Sequence, residues 1–540
     1  MGTCDLIIRA GLVYDGSGGD PLEGDVAVED GRIVAVSDLA GLKGREEVQA
    51  AGLAVTPGFI NVLSWATESI LEDGRCQSDV RQGVTLEVFG EGESMGPLSD
   101  ALRDELRERQ QGIYYDVEWT TLGEYLEHLE IRGMAPNVAS FVGATTVRAN
   151  VIGYEDRAPS ADELERMRTL VRQAMREGAL GVGASLIYAP ACYAATEELV
   201  ELARVAAESD GMFISHLRSE ADRLLEAVDE LIEIAESAGI RAEIYHLKAA
   251  GRSNWDKLDE VISRVERARA QGLAVTADMY PYTAAATGLD ASMPPWVQEG
   301  GFAAWRERLG DAAIRDRVEH EMLSTDGGWE NFFRAAGPEQ MRLVRFRSET
   351  LRRFTGWTLL DVSRELGVSP AQAAMQLVRE DDSRVETAYF FMSEENVRKQ
   401  LALPWMSFAS DAMAMAPEGV FLGWSPHPRA YGTFARVLGK YVRDEGVIPL
   451  TEAVRRLTSL PAGNLRLLDR GRLSPGYAAD VAIFDPDAIG DTATYDNPHR
   501  YAEGMVHVLV NGTPVLLDGE PTAALPGKAL RGPGWRPSGN

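Results

Sequence analysis

Between residues 56 and 469 short apolar runs alternate with amphipathic helical stretches, and this alternation restricts the chain to few architectures. Strand, helix and strand in repeated succession build a parallel sheet whose helices cover it. "SADELERMRTLVRQAMREG" carries the helical half of the repeat. Ser160 and Glu163 form a capping box, Leu164, Met167, Leu170, Val171, Ala174 and Met175 share one face, and Gly178 ends the run. "ADRLLEAVDELIEIAESAG" and "DKLDEVISRVERARAQG" follow the same plan, each closing on a glycine. The strand half is found in "GFINVLS", "GVTLEVFG", "NVASFVG", "LGVGASLIY", "MFISH", "AEIYH", "LAVTADMY", "TAYFFM" and "MSFASD". These nine candidates exceed the eight places of a closed parallel barrel, so one lies outside it.

The flanks have another texture. Residues 4 to 55 alternate apolar and polar, as in "DVAVEDGRIVAVSD", where Glu29-Asp30-Gly31 is a hairpin turn. The pattern returns in "GYAADVAIFDP" and "MVHVLVNGTPVLLDGE", with Asn511-Gly512 at a second hairpin. The expected division is a composite β domain from 1–55 plus 470–540 around a barrel of 56–469. A Trp-, Arg- and Glu-rich insertion near 287–350 would cover one mouth. The tail "LPGKALRGPGWRPSGN" reads as irregular. A length of 540 residues suits one large α/β barrel with a smaller domain.

Composition narrows the function. With 45% apolar and 25% charged residues the chain reads as a soluble globular protein, and no run approaches the length of a membrane span. A net charge of −29 repels polyanions, which argues against nucleic acid as a partner. Cys4, Cys76 and Cys192 are too few and scattered for a disulfide framework. The start "MGTCDLIIRAG" lacks a basic stretch followed by a long apolar one, and Leu6 stands where a myristoylated Met-Gly start would carry Ser or Thr. The expected location is the cytoplasm, with no membrane partner; the sequence leaves the oligomeric state open.

Of seven histidines, His128, His320, His427, His499 and His507 sit in helical, loop or terminal contexts. His216 in "MFISHLRSE" and His246 in "AEIYHLKAA" differ. Each ends an apolar run, and they stand one strand-helix repeat apart, which puts both at the same barrel mouth. Imidazole suits zinc, and a catalytic zinc needs about three protein ligands. "GVTLEVFGEGES" offers Glu91 and Glu93 after an apolar run, and either carboxylate is a candidate third ligand. Asp411 closes "PWMSFASD", where it either moves a proton during catalysis or caps the following turn. Tyr188, Lys248, Tyr280 and Arg429 follow strands or open loops and are candidates to hold an anionic substrate group. Cys192 has no visible base beside it.

Together these segments resemble the N-acyl-D-amino-acid deacylase (D-aminoacylase) family of the amidohydrolase superfamily. The resemblance runs through "TPGFI", "RQGVT", "ATEELVELARVAAESDGMFISHLRSE", "HLKAAGRSNW", "VTADMYPYTAAATGLDASMPPWVQEGG", "SFASDAM", "HPRAYGTFARVLGKYVR" and "GRLSPGYAADVAIFDP". It implies an α/β fold: a distorted TIM-like (β/α)8 barrel of the amidohydrolase type with a small β-rich domain built from both termini. It also implies zinc-dependent hydrolysis of the amide of an N-acylated D-amino acid. His216 and His246 become zinc ligands, Asp411 the catalytic acid and base, and Tyr188, Lys248, Tyr280 and Arg429 the carboxylate binders. The chain departs from the family at its first strand. Asn61, Val62, Leu63, Ser64 and Trp65 stand where the family reads Asp-x-His-x-His, so the ligands of a second metal position are missing. Gly90-Glu91-Gly92-Glu93 replaces the family's Gly-Asn-Cys-Gly, and spacing to Pro97 selects Glu91 under the ligand cysteine, with Glu93 in reserve. Ala286 stands where relatives can carry serine.

The resulting expectation is a mononuclear zinc amidohydrolase with Glu91, His216 and His246 around one Zn2+, acting on a small anionic amide. Two rivals accompany it. Leu63 and Trp65 could instead shape a pocket for another bulky amide, carbamate or D-peptide, or the barrel could persist as a non-catalytic binding protein that has lost its metal.

Overall fold

The computed structural model describes residues 3–110, 112–325 and 328–536. The Met-Gly start and the last four residues of the tail lie outside them.

The chain opens with β1 (Thr3–Val13), β2 (Leu22–Glu29), β3 (Arg32–Ser37), β4 (Lys43–Gln49) and β5 (Ala54–Pro57). The barrel begins with β6 (Phe59–Asn61), β7 (Val84–Phe89) and β8 (Asn137–Ser140), which resumes after Phe141 as β9 (Val142–Gly143). It continues with β10 (Gly181–Ser185), β11 (Met212–His216), β12 (Arg241–Ile244) and β13 (Val275–Met279). Then β14 (Ala285–Gly288), β15 (Met341–Leu343) and β16 (Glu386–Tyr389) intervene before β17 (Met406–Phe408) completes the barrel. The chain ends with β18 (Val481–Phe484), β19 (Met505–Val510), β20 (Thr513–Leu517) and β21 (Glu520–Pro521).

Parallel pairing runs β6·β7·β8 and β9·β10·β11·β12·β13·β17. The first and last barrel strands meet through a parallel bridge between Ser64 and Ala412. There the Trp65 amide donates to Ala412 O at 2.9 Å and the Asp411 amide to Leu63 O at 3.0 Å. With β8 and β9 counted as one interrupted strand, eight strands close the barrel. Every residue of β10, β11 and β13 is buried, because side chains fill the barrel on one face and helices cover the other. Leu63 is part of that interior filling, clustered with Ile60, Leu86, Val88, Ile214, Tyr245 and Ala409.

The surplus strand is "TAYFFM". Its first three residues, Thr387 to Tyr389, lie in β16, antiparallel to β14 and β15 in a separate three-stranded sheet. The preceding amphipathic helices Leu359–Leu366 and Pro370–Asp381 make this stretch look like one more βα repeat, but its strand pairs away from the barrel. The insertion is therefore longer than the expected 287–350: it runs from β14 to Phe391. It carries its own apolar cluster, including Leu289, Val297, Trp305, Phe332, Met341, Leu377 and Tyr389, and meets the barrel loops at Ile187, Tyr280 and Tyr282.

The outer sheet has the order β21-β20-β19-β18-β5-β1-β2-β3, with β4 beside β1. The two chain ends join where β18 runs antiparallel to β5. Both expected hairpins have two consecutive left-handed residues, Asp30 and Gly31 at φ 50° and 72°, and Asn511 and Gly512 at φ 49° and 80°. The tail leaves this sheet and follows the barrel: the Val138 amide donates to Lys528 O at 3.0 Å, and the Leu530 amide to Val138 O at 2.7 Å. The helix Ala161–Glu177 has the Ser160/Glu163 capping box and buries Met167, Val171, Ala174 and Met175, with Gly178 left-handed at its end. Among the described residues no helix is long and apolar enough to cross a membrane.

Candidate metal centre and active site

The C-terminal ends of the barrel strands open into a cleft of about 1270 Å³, walled on the far side by the insertion. All nine residues singled out from the sequence, Glu91, Glu93, Tyr188, His216, His246, Lys248, Tyr280, Asp411 and Arg429, line it.

Glu91, His216 and His246 converge, with one ligand atom from each lying within 4.8 Å of the others. Glu91 Oε1 is 3.1 Å from His216 Nδ1 and 2.9 Å from His246 Nε2, and the two imidazoles stand nearly perpendicular with centroids 4.5 Å apart. The local backbone explains the convergence. Glu91 is flanked by Gly90 and Gly92 at φ 107° and 73°, and a Cβ on Gly92 would fall 2.5 Å from Ser185 Cβ, so only glycine admits this turn. His216 is the last residue of β11, whereas His246 follows β12 with a positive φ of 32° and its amide fixed on Asp278 Oδ1 at 2.9 Å. Such backbone costs about 1 kcal/mol or more and persists only where surroundings impose it.

The charges suit a cation. Burial opposes ionisation of Glu91, but His246 and His216 prevail and hold its carboxyl below the usual carboxylate range. Burial and the Lys248 ammonium disfavour a charged His246, yet Glu91, Glu220 and Asp411 together raise it to about 10. A divalent cation would replace the shared proton, and one carboxylate with two imidazoles is a donor set that zinc accepts.

Glu93 does not join them. Its side chain is 46% exposed and pairs with Arg109 at 3.4 Å on the cleft wall. Trp65, read from the sequence as apolar bulk, presents its polar edge instead: Nε1 donates to Glu91 Oε2 at 3.0 Å and to Asp411 Oδ1 at 3.2 Å. Leu63 is interior packing and makes no pocket wall. Asp411, at φ 49°, is held by Arg429, whose Nη1 lies 2.7 Å from Oδ2. Burial raises the Asp411 carboxyl above its ordinary value although Arg429 opposes this.

Lys248 is buried, with Nζ 2.6 Å from Glu220 Oε1 and 2.7 Å from His246 Nδ1. The Tyr188 hydroxyl meets Thr287 Oγ1 at 2.8 Å. The Tyr280 hydroxyl and Arg429 Nε are buried without a hydrogen-bond partner among the described residues, and the Arg429 guanidinium lies over the Tyr280 ring at 4.6 Å. Burial drives both phenols well above their ordinary range, so they remain neutral donors. Burial also pushes the Cys192 thiol up to about 12, which removes it as a nucleophile near neutral pH.

Three site residues escape the sequence reading. Glu220 lies against both histidines and Lys248; its only signal is its place four residues after His216 in "HLRSE". His427, placed among the loop histidines, is buried: Nδ1 accepts from the Arg429 amide at 3.0 Å and Nε2 faces Ala284 O at 3.0 Å, so it orients the start of the Arg429 helix. Arg384 comes from the insertion, pairs with Asp290 at 2.7 Å and lies 5.0 Å from the Tyr188 ring centroid.

This barrel, with a metal-competent donor set at its strand ends, defines a hydrolase of the amidohydrolase class. The amidohydrolase family profile matches residues 46–516, and the chain belongs to that family, whose members hydrolyse amide C–N bonds. A D-aminoacylase of Alcaligenes xylosoxydans xylosoxydans is 31% identical over 97% of each chain, and an N-acyl-D-glutamate deacylase of the same organism is 30% identical over 98% of this chain and 96% of its own. Among solved structures, an N-acyl-D-glutamate deacylase of Bordetella bronchiseptica, complexed with zinc and a phosphonate mimic of the tetrahedral intermediate, superposes with a TM-score of 0.80 at 30% identity. That match covers 98% of this chain and 100% of the other. A D-aminoacylase described by one-metal activation and second-metal attenuation in a binuclear centre gives a TM-score of 0.81 at 30% identity, with the same coverage.

Proposed function

We propose that this protein is a zinc-dependent deacylase that hydrolyses the amide of N-acyl-D-amino acids or closely related N-acylated amino acids, with a single metal held by Glu91, His216 and His246. The observation that carries this reading is the Trp65 indole N–H, which joins Glu91 to Asp411 where the related family bears a histidine. A neutral donor there satisfies both carboxylates at once, and its ring leaves no ligand for a second cation.

A zinc ion at this site supplies Lewis acidity towards the amide carbonyl and the attacking water. Asp411 accepts the proton of that water on Oδ1, an uptake favoured by the elevated carboxyl, and returns it to the departing nitrogen. Trp65 and Arg429 hold Asp411 from two sides and so fix the direction of transfer. The unpaired Arg429 Nε, the Tyr280 hydroxyl and Lys248 supply donors for the substrate carboxylate. The location we assign is the cytoplasm and the partner a small anionic amide.

One observation favours a bulkier substrate than a short-chain N-acylated amino acid. The cleft of about 1270 Å³ is larger than the roughly 300–1,000 Å³ of ordinary small-molecule sites. A larger amide, carbamate or D-peptide would use that room on the same machinery. Steady-state hydrolysis of paired N-acyl-D- and N-acyl-L-amino acids graded in size, with metal analysis of the same preparation, tests both readings. Preference for the D series with one zinc per chain is expected. Preference for the L series, or turnover of none, sinks the named activity.

A further inference from the structure

Glu220 is 2% exposed and has no role in the chemistry above. It faces the opposite edges of the two histidines from Glu91. His246 presents Nε2 to Glu91 Oε1 at 2.9 Å and Nδ1 to Glu220 Oε1 at 3.1 Å. His216 presents Nδ1 to Glu91 Oε1 at 3.1 Å and Nε2 to Glu220 Oε2 at 3.5 Å. Each imidazole therefore lies between two carboxylates, in opposite senses. Glu220 does not belong to the compact donor group, which contains only Glu91, His216 and His246 among the described residues.

A neutral imidazole has one bare nitrogen and one N–H, and the group that accepts from the N–H decides which is which. If the nitrogens facing Glu91 bind a cation, the protons reside on His216 Nε2 and His246 Nδ1; both face Glu220, whose Oε1 takes the Nδ1 proton in competition with Lys248 Nζ, 2.7 Å from the same nitrogen. The His216 Nε2 atom is buried without a hydrogen-bond partner among the described residues, and the Glu220 Oε2 it faces at 3.5 Å is near enough to accept its proton after a small shift. Glu220 is itself secured. Its Oε1 accepts from Lys248 Nζ at 2.6 Å, its amide donates to Glu330 Oε1 at 2.8 Å, and the neighbouring Ser219 hydroxyl donates to Glu330 Oε2 at 2.6 Å. Glu330 belongs to the insertion, so the cleft wall is tied to the metal centre through this carboxylate.

We propose that Glu220 is the positioning residue of the metal centre: one carboxylate fixes His216 as the Nε2–H tautomer and His246 as the Nδ1–H tautomer, and holds Lys248 by the same oxygen it offers to His246. The inference rests on the reading of Glu91, His216 and His246 as ligands. Partners of this kind are worth 10–100-fold in metal affinity when removed from ligand histidines.

The test compares full-length wild type with Glu220→Gln. Metal-free protein is titrated with zinc against a chromophoric chelator, and long-range 15N–1H spectra of histidine-labelled protein report the tautomers of the zinc form. Zinc affinity is expected to fall about 10–100-fold in Glu220→Gln, with stoichiometry unchanged. Wild type is expected to show one Nε2–H and one Nδ1–H ligand histidine in the zinc form. Unchanged affinity, or ligand histidines of the same tautomer in wild type, overturns the inference; a role in packing alone would lower the melting temperature and leave both readouts in place. Should Glu220→Gln fail to fold, Glu220→Asp, which retains the charge, replaces it, and wild-type zinc affinity there with altered tautomers has the same overturning force. Zinc binding that survives His246→Ala undoes the ligand reading instead, so the two failures are distinguishable.

Discussion

Replacing Trp65 with Phe retains most of the ring and removes one N–H. That hydrogen serves two carboxylates, Glu91 Oε2 at 3.0 Å and Asp411 Oδ1 at 3.2 Å, whose side chains are 5% and 10% exposed. A hydrogen bond to a charged group is worth about 1.5–3 kcal/mol net. Asp411 keeps Arg429 and Glu91 keeps its histidines, so the protein should fold and retain its metal while Asp411 loses its aim. A loss of about 2 kcal/mol in the transition state lowers kcat/KM about 30-fold. The assay is steady-state hydrolysis of the preferred N-acyl-D-amino acid, with metal content and melting temperature measured on the same sample. A kcat/KM within about twofold of wild type, at unchanged metal content, would refute the idea that the indole N–H organises this site. Trp65→His extends the test: it adds a third donor beside Glu91 and Asp411 and should raise zinc uptake above one per chain at high zinc, whereas wild type should saturate at one.

Four other outcomes are expected. His246→Ala should remove both bound metal and activity, read by elemental analysis and turnover. Glu93→Gln should change neither metal content nor affinity by more than a few-fold, because Glu93 pairs with Arg109 away from the histidines; loss of metal would transfer the ligand role to it. Gly92→Ala should weaken zinc binding strongly, since the new Cβ would lie 2.5 Å from Ser185 Cβ at a backbone φ of 73°. Burial pushes Glu87 and Glu243 inside the barrel from 4.5 up to about 7. The folded state then binds more protons than the unfolded chain between these values, so the stability they contribute is complete below about 4.5 and lost as pH rises through 7. Thermal melts across that window should show the decline, and Glu87→Gln with Glu243→Gln should flatten it.

The barrel was legible because its strands are buried on both faces and read as unbroken apolar runs between amphipathic helices. The same texture misled at "TAYFFM", where a helix and an apolar run imitate a barrel repeat and only the antiparallel pairing of Ala388 with Ala286 and Arg342 separates them. His216 and His246 stood out by their repeat distance, and the choice of Glu91 over Glu93 came from counting residues to Pro97. The structure adds a physical reason for that choice, the two positive-φ glycines that turn Glu91 inward. Glu220, Glu330 and Arg384 could not be found the same way. Glu220 and Arg384 reach the cleft from a loop and from the insertion, and Glu330 stands behind Glu220, where no periodicity announces which way a side chain faces. Trp65 shows another limit: an apolar residue type was read as bulk, although its single polar atom is what the site uses.

The apolar cluster inside residues 285–391 gives the cleft a wall with its own foundation, touching the barrel mainly at loop positions such as Tyr280 and Tyr282. Catalytic and selective surfaces are thus supported by different sets of contacts. Mutations that reshape Arg384, Thr287 or their neighbours draw on the stability of the wall and spare the packing beneath Glu91 and the histidines. An evolving lineage can change what it accepts while conserving how it cuts, and a library confined to this wall is the economical place to redirect the enzyme.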